Sequence, residues 1–461
     1  MLKSITTLAA RDWWIAGLIL LAAIATRVPG LDHPSEAVHD EVTYMNYTIR
    51  TVSAEPYFDI HPPLGRMLFA GIASRFPFQK VAESNIPNAP FDDFPYVPIR
   101  LFVALVSLAI PIALYAIARS AHLPPIAAAI PAGLAVFDSS LILYARTMHP
   151  DTLLLAFGIG AVAVALSRDL FRERPELHAI SVGILGGLAV ATKWTGLGLL
   201  GVALFVLARS RRSILPIILG GSTALAIYLA VFAAYFFAWY PTGGTIAPEQ
   251  FGPFADVPGI SEAAFPSRIE AYPDAFLGTH RAIWNADRAA DVVRTENAAD
   301  LSRPVFWPLA FGGEFLVWSH PTGNLIIYRG NPFPWTITYL ALLAAAIALL
   351  ARAFVRRAIF SDRERWLGFF VFAFAANYLP FFLIERPMYL YHYMVAALFA
   401  YLAAPFAWSE VIAPWLLSIG LSKKAIAALA GGLLLLCGVG FLILAPTTYG
   451  FGEVFLHQRF Q

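Results

Sequence analysis

Cysteine is almost missing from this chain of 461 residues. Cys437 stands alone in an apolar run, so no internal disulfide can form and packing is its expected role. Charge is scarce too. Asp, Glu, Lys and Arg make up 13% of the residues, well under the roughly 25% of a soluble domain. Internal repeats are absent, which weakens a transporter built from inverted repeats. No low-complexity tract and no basic patch occurs, so nucleic acid is not an expected partner.

What is abundant is apolar. Hydrophobic residues reach 59% and mean hydropathy is +0.66. Many runs approach the roughly 20 residues that cross a bilayer, so the chain reads as an all-α polytopic membrane protein. Eleven spans are expected, near 13–29, 97–118, 124–138, 141–166, 177–192, 194–208, 213–239, 333–351, 366–384, 389–408 and 425–445. The first, preceded by Lys3 and Arg11, ends in Arg27-Val28-Pro29 without a small-x-small cleavage site, so it is read as an uncleaved helix rather than a signal peptide. Residues 177–208 are too long for one span and are split at Lys193-Trp194.

Charge supports that split. With the N-terminus inside, the short inner segments hold half of the 32 Lys and Arg residues, and Asp12, Asp169, Glu173, Glu176, Asp362, Glu364 and Glu410 are the only acids among them. This is the positive-inside pattern. It leaves the C-terminus outside, with two large outer loops, 30–96 and 240–332, on a single membrane domain, 1–461. Within the first loop, Leu64–Phe76 is amphipathic and suits an interfacial helix. The second, rich in Pro and Gly, is too irregular for a separate domain.

The ionisable residues near the outer ends of the spans are the informative ones. Asp40 and Glu41 follow the first span. Arg100, Asp138, Arg146, His149, Asp151, Lys193, Arg386 and His392 gather at the same membrane face. Charges at hydrocarbon depth are costly and mark function by default, although structural ion pairs and snorkelling arginines use the same residues. The set suits transfer from a lipid-linked phosphate. Arg100, Lys193 and Arg386 can hold the departing phosphate, and a carboxylate can take the proton of an incoming hydroxyl. His61-Pro62-Pro63 is stiff and extended, which suits a segment that holds the acidic loop in place.

Several segments in order carry a resemblance. They are His39-Asp40-Glu41-Val42, Tyr57-Phe58-Asp59-Ile60-His61-Pro62-Pro63-Leu64-Gly65, Ala145-Arg146-Thr147 through Asp151, and Lys193-Trp194-Thr195-Gly196. Gly330-Asn331-Pro332, Tyr378-Leu379-Pro380-Phe381-Phe382-Leu383, Arg386 and Tyr391-His392-Tyr393 follow. Together they resemble the protein O-mannosyltransferase family of the membrane glycosyltransferase C class (GT-C). The resemblance implies eleven spans, a cytoplasmic N-terminus, and an extracytoplasmic site that moves mannose from a polyprenyl-phosphate donor to Ser or Thr with inversion. By position it implies Asp40 as catalytic base, with Glu41 shaping the acceptor site. Arg100 and Arg386 become phosphate ligands. His61, Arg146, Asp151, Lys193 and His392 support the donor pocket, joined by Tyr391 on the donor side and by Arg66 and Asn331 as supports. Paired acids can bind Mg²⁺ or Mn²⁺, but the resembled family works without metal, so no cofactor is expected.

Some positions depart from that family. The second loop is too short for the β-trefoil module of eukaryotic members. Thr43 stands where a histidine often follows the acidic pair, Glu385 replaces a small residue, and Tyr391-His392 replaces paired histidines. These changes bear on sugar and acceptor rather than reaction type. A related class that transfers aminoarabinose to lipid A has a Lys-Pro-Pro-Leu motif, against His61-Pro62-Pro63-Leu64 here. The expected setting is the cytoplasmic membrane, with a lipid-linked donor and an exported protein as partners. The competing readings are the same donor chemistry on a lipid or cell-wall glycan, and a flippase for a lipid-linked sugar.

Overall fold

The computed structural model describes residues 10–78, 88–210, 214–289, 302–311, 315–356, 359–384 and 388–451. Lys3, Arg211, Arg212, Arg357, Glu385 and Arg386 lie outside the described residues, as do parts of both loops.

The chain is a bundle of helices. After α1 (Ala10–Arg27) the first loop holds α2 (Glu41–Val52) and α3 (Leu64–Ala73). Then come α4 (Tyr96–Ser107), α5 (Ala109–Ser120), α6 (Pro125–Val136), α7 (Ser139–Ala145) and α8 (Pro150–Leu166). α9 (Pro175–Thr192), α10 (Gly196–Ser210) and α11 (Leu215–Ala234) lead to the second loop, with α12 (Tyr272–Arg288) and an antiparallel hairpin of β1 (Phe315–Ser319) and β2 (Leu325–Tyr328). α13 (Pro332–Ala351), α14 (Asp362–Tyr378), α15 (Met394–Ala407), α16 (Ala413–Ser418) and α17 (Lys423–Tyr449) complete it. α15 is buried along its whole length against α6, α13 and α14. α11, α13 and α17 turn most of their apolar side chains outward, as lipid-facing helices do.

A helix coincides with every expected apolar segment, but among the described residues only seven are long and apolar enough to cross a membrane. α6 and α7 form an eighth if the pair, bent by 63°, is one span. α1 carries Arg11, Asp12 and Arg27, and α8 and α10 are short, so the count of eleven remains an expectation. One boundary shifts. The expected span 141–166 is interrupted before Pro150: α7 continues from α6 across the bend, and α8 starts afresh. The break at Lys193 is where the charge pattern put it, between α9 and α10. Gly196 is required there, because a Cβ would come within 2.7 Å of the Ala189 carbonyl.

Side chains close the helix ends at the loop face. Backbone groups left over at a helix terminus need partners, more so where water is excluded. Arg27 donates to the carbonyls of Ala135 and Val136 at the end of α6 (2.8 and 3.1 Å). Arg146 donates to the carbonyls of Arg27, Pro29 and Gly30 just past α1 (3.1, 2.6 and 2.8 Å) and lies 4.8 Å from the Tyr449 ring. Asp138 caps α7 through the amides of Ser140 and Leu141, and its other oxygen accepts from Trp335 Nε1 (2.6 Å) and Tyr401 Oη. Asn331 caps α13 and donates to the Cys437 carbonyl of α17 (3.1 Å). Arg146 and Asn331, expected as supports of a donor pocket, act at one remove from it. Both are buried ties between helix ends, and neither lines the cavity described below.

Candidate active site

The adjacent acids of the first loop part company at the start of α2. Glu41 is fully buried and accepts four hydrogen bonds. Its Oε1 takes Arg100 Nε (2.9 Å) and the Met148 amide (2.7 Å); its Oε2 takes the Val38 amide (2.9 Å) and Arg100 Nη2 (2.6 Å). Arg100 also donates to the carbonyls of Leu31, Pro34 and Glu36. An arginine has five N–H donors, and all five are spent inside the protein. Two expectations change as a result. Arg100 has no donor left for a phosphate, and Glu41 has no free face for an acceptor. They are one buried clasp that fastens the first loop to α4 and to the start of α8.

Asp40 lies on the other side of that turn. Its side chain is 42% exposed, makes no capping bond to α2, and has His39 Nε2 at 3.4 Å. The turn is strained: His39 has φ +50°, a left-handed conformation uncommon for a residue with a side chain. Its amide bonds the Val317 carbonyl of β1 (2.9 Å) and its ring packs on Phe315 (4.7 Å). The second loop thus holds the base of the first. The hairpin that does so went unread in the sequence, although two apolar runs flank the Thr322-Gly323-Asn324 turn.

A wall of rings runs inward from Asp40. His39, His149, Tyr44 and Tyr144 are neighbours, and Tyr144 meets Tyr391 at 5.5 Å. Behind Tyr391 opens a cavity of about 330 Å³. Three parts of the chain enclose it. The first loop contributes Ile60 and His61. The helices contribute Asp151 of α8, Lys193, Trp194 and Thr195 between α9 and α10, Leu197 and Gly198 of α10, Asn377 of α14, and Tyr391 and His392 with the start of α15. The second loop contributes Asp287 of α12. The Lys193 ammonium bonds Asp151 Oδ2 (2.7 Å) and stands 5.5 Å from the Tyr391 ring centre. An ammonium has three N–H donors, so the pair with Asp151 leaves Lys193 able to meet a second anion. Most other lining groups are apolar. A small-molecule site typically has this make-up, an apolar lining with a few convergent polar groups and one cation.

His61 reaches this cavity because its segment is braced. Asp59 Oδ1 accepts the His61 amide (3.0 Å), its Oδ2 contacts Arg66 Nη1, and Arg66 also donates to the His61 carbonyl (3.2 Å). Arg66 lies 4.8 Å from the Tyr235 ring centre, so it supports the bend from behind. Gly65 allows the segment to press on α8, since a Cβ would come within 2.6 Å of Pro150.

The cavity thus gathers His61, Asp151, Lys193, Tyr391 and His392 of the expected residues, with Asp40 outside it at the far end of the row of rings. Arg386 lies outside the described residues. Trp194, Asn377 and Asp287 were missed as lining residues. Trp194 had a signal, because it sits at the break between two spans; Asp287 had none. Among the described residues no group of three or more His, Cys, Asp or Glu could hold a metal ion.

Two family models match this chain. One, described as dolichyl-phosphate-mannose-protein mannosyltransferase, matches residues 17–239; the other, the C-terminal four-transmembrane region of protein O-mannosyltransferase, matches residues 273–454. Among curated proteins, dolichyl-phosphate-mannose–protein mannosyltransferase 1 of Candida albicans is 28% identical over 41% of this chain and 22% of its own length. Its namesake in Saccharomyces cerevisiae is 29% identical over 40% and 23%. These matches span less than a quarter of the relatives' length. In fold, the chain is similar to the S. cerevisiae protein O-mannosyltransferase Pmt1–Pmt2 complex bound to the sugar donor, with TM-score 0.79, 15% identity, and 97% of this chain and 91% of that chain covered. It is less similar to the Archaeoglobus fulgidus oligosaccharyltransferase, with TM-score 0.52, 15% identity and coverage of 97% and 57%.

Proposed function

The chain belongs to the protein O-mannosyltransferase family, and we propose that it transfers mannose, with inversion, from a polyprenyl-phosphate donor to Ser or Thr hydroxyls of exported proteins. The observation that carries this reading is the division of labour at the acidic pair. Glu41 is locked away, while the open Asp40 carboxylate lies at the outer end of a row of rings that leads to a cavity holding Lys193.

The acceptor oxygen attacks C1 of the sugar on the face opposite the phosphate. Asp40 takes the hydroxyl proton as the new C–O bond forms. The bond from C1 to the phosphate oxygen breaks, and its electron pair leaves with the polyprenyl phosphate. Lys193 meets the growing negative charge, and Asp151 holds the ammonium in place. The ring wall and the apolar lining keep water from competing as acceptor. Asp40, Lys193 and the rings supply what this reaction needs, so we read it as independent of metal.

We further propose that the protein lies in the cytoplasmic membrane as one domain, with its N-terminus inside and the loop face, including 240–332, outside. The support is the distribution of basic residues over the short segments of the opposite end. Labelling of single-cysteine variants in the second loop by an impermeant reagent tests the orientation, and protection until permeabilisation overturns it. For activity, purified protein is given mannosyl-labelled polyprenyl phosphate and exported acceptor proteins. The expected result is release of polyprenyl phosphate and a hexose on Ser or Thr by mass spectrometry. Label that stays on lipid, or enters only glycan, overturns the proposal.

A further inference from the structure

One hydrogen-bond chain runs from the cavity wall into the second loop and takes no part in the steps above. Trp194, between α9 and α10, lines the cavity. Its indole Nε1 lies 2.9 Å from Tyr228 Oη of α11. Tyr228 Oη lies 2.7 Å from His280 Nε2 of α12, and His280 Nδ1 lies 2.7 Å from the Phe276 carbonyl one turn back.

The direction of this chain is set by chemistry. A carbonyl only accepts, so Nδ1 carries the proton. Nε2 of the neutral ring is then an acceptor, and Tyr228 donates to it. The indole N–H can only donate, and its acceptor is the same Tyr228 oxygen. A neutral His280 completes every bond. A protonated one would turn a second donor toward Tyr228 and strand the phenolic hydrogen. Burial lowers the pKa of His280, against a smaller lift from the Phe276 carbonyl, which favours the neutral form. The ring is also gripped by Phe276 at 3.9 Å and Phe232 at 4.8 Å, and it stacks near Trp194 at 6.1 Å.

We propose that His280 is a positioning residue for the donor site: acting through Tyr228, it holds the Trp194 indole as one wall of the cavity. Two helical turns further along α12, Asp287 reaches the same cavity. One docking event therefore sets two lining residues at once, and the second loop shapes a site built mainly from the spans. This inference rests on reading the cavity as the donor site, so its test has one arm that needs no donor.

The variants are His280→Leu, which removes the acceptor, Tyr228→Phe, which removes the middle link, and His280→Gln, whose Oε1 stands near the place of Nε2 and can accept from Tyr228. In the first arm, hydrogen exchange is followed over 193–198 in the purified full chain. His280→Leu and Tyr228→Phe are expected to speed it, and His280→Gln to stay close to wild type. In the second arm, KM for polyprenyl-phosphate mannose is expected to rise about tenfold in the Leu and Phe variants, the scale of one or two lost neutral hydrogen bonds, with kcat changed less than about threefold. His280→Gln is expected to recover most of the KM. A role in folding alone lowers the melting temperature and leaves KM untouched in the folded fraction. Unchanged exchange in His280→Leu, unchanged KM in an active protein, or a Gln variant no better than Leu overturns the proposal. A wild-type protein that transfers nothing from the donor defeats the functional reading instead, and the exchange arm still decides whether the relay holds Trp194.

Discussion

Replacing each acid of the Asp40-Glu41 pair by its amide is expected to give opposite outcomes. In Asp40→Asn little structure is at stake. The carboxylate is 42% exposed and gives α2 no capping bond, so the change should cost within about 0.5 kcal/mol, like most surface substitutions. Turnover should fall by roughly 10²–10⁴, the usual loss when a general base is removed. In Glu41→Gln the balance reverses. Four N–H donors converge on that side chain. A glutamine oxygen can serve two of them, and its NH2 then faces the other two. The Arg100 guanidinium stays buried without a counter-charge. Breaking such a pair from one side costs about 3–5 kcal/mol.

The assay measures two things on the same purified protein: the thermal midpoint, and transfer per folded molecule. Asp40→Asn should melt with wild type and transfer almost nothing. Glu41→Gln should melt well below wild type, with activity lost as the folded fraction is lost. Near-normal transfer by a folded Asp40→Asn variant would end the base assignment. A Glu41→Gln variant with an unchanged midpoint but slow turnover would refute the clasp and return Glu41 to the chemistry.

Three shorter predictions follow from other contacts. Lys193→Met should raise donor KM at least about tenfold and leave Asp151 buried without its partner, so Lys193→Met with Asp151→Asn should be more stable than Lys193→Met alone; a double-mutant cycle in thermal midpoint and KM reads both. Asp138→Ala removes the cap of α7 and strands Trp335 and Tyr401, at a cost of about 3 kcal/mol or more, while molecules that stay folded should transfer normally. Chelation by EDTA should leave transfer within about twofold, and recovery by added Mg²⁺ or Mn²⁺ after a larger loss would assign the acids a metal.

Much of the bundle was legible because a bilayer imposes a simple rule on sequence, and even the break at Lys193 followed from charge alternation. Much of the site was not, because catalysis and helix termination draw on the same residues. Arg100, Arg146 and Asp138 were all visible as costly charges at one membrane face. Whether such a charge meets a substrate or a stranded carbonyl depends on where a neighbouring helix ends, and composition does not record that. Arg146 closes α1, Arg27 closes α6, and Arg100 is saturated by Glu41 and loop carbonyls. The adjacent acids pose the same difficulty at its sharpest. One residue of offset at the start of α2 sends Glu41 inward and Asp40 outward, and only the strained turn at His39, held by β1, decides which is which. The structural use of Glu41 and Arg100 leaves Asp40 as the one open carboxylate of the pair. On the proposed reading, Asp40 keeps a carboxylate open to an acceptor because the nearby Arg100 is already bound to Glu41.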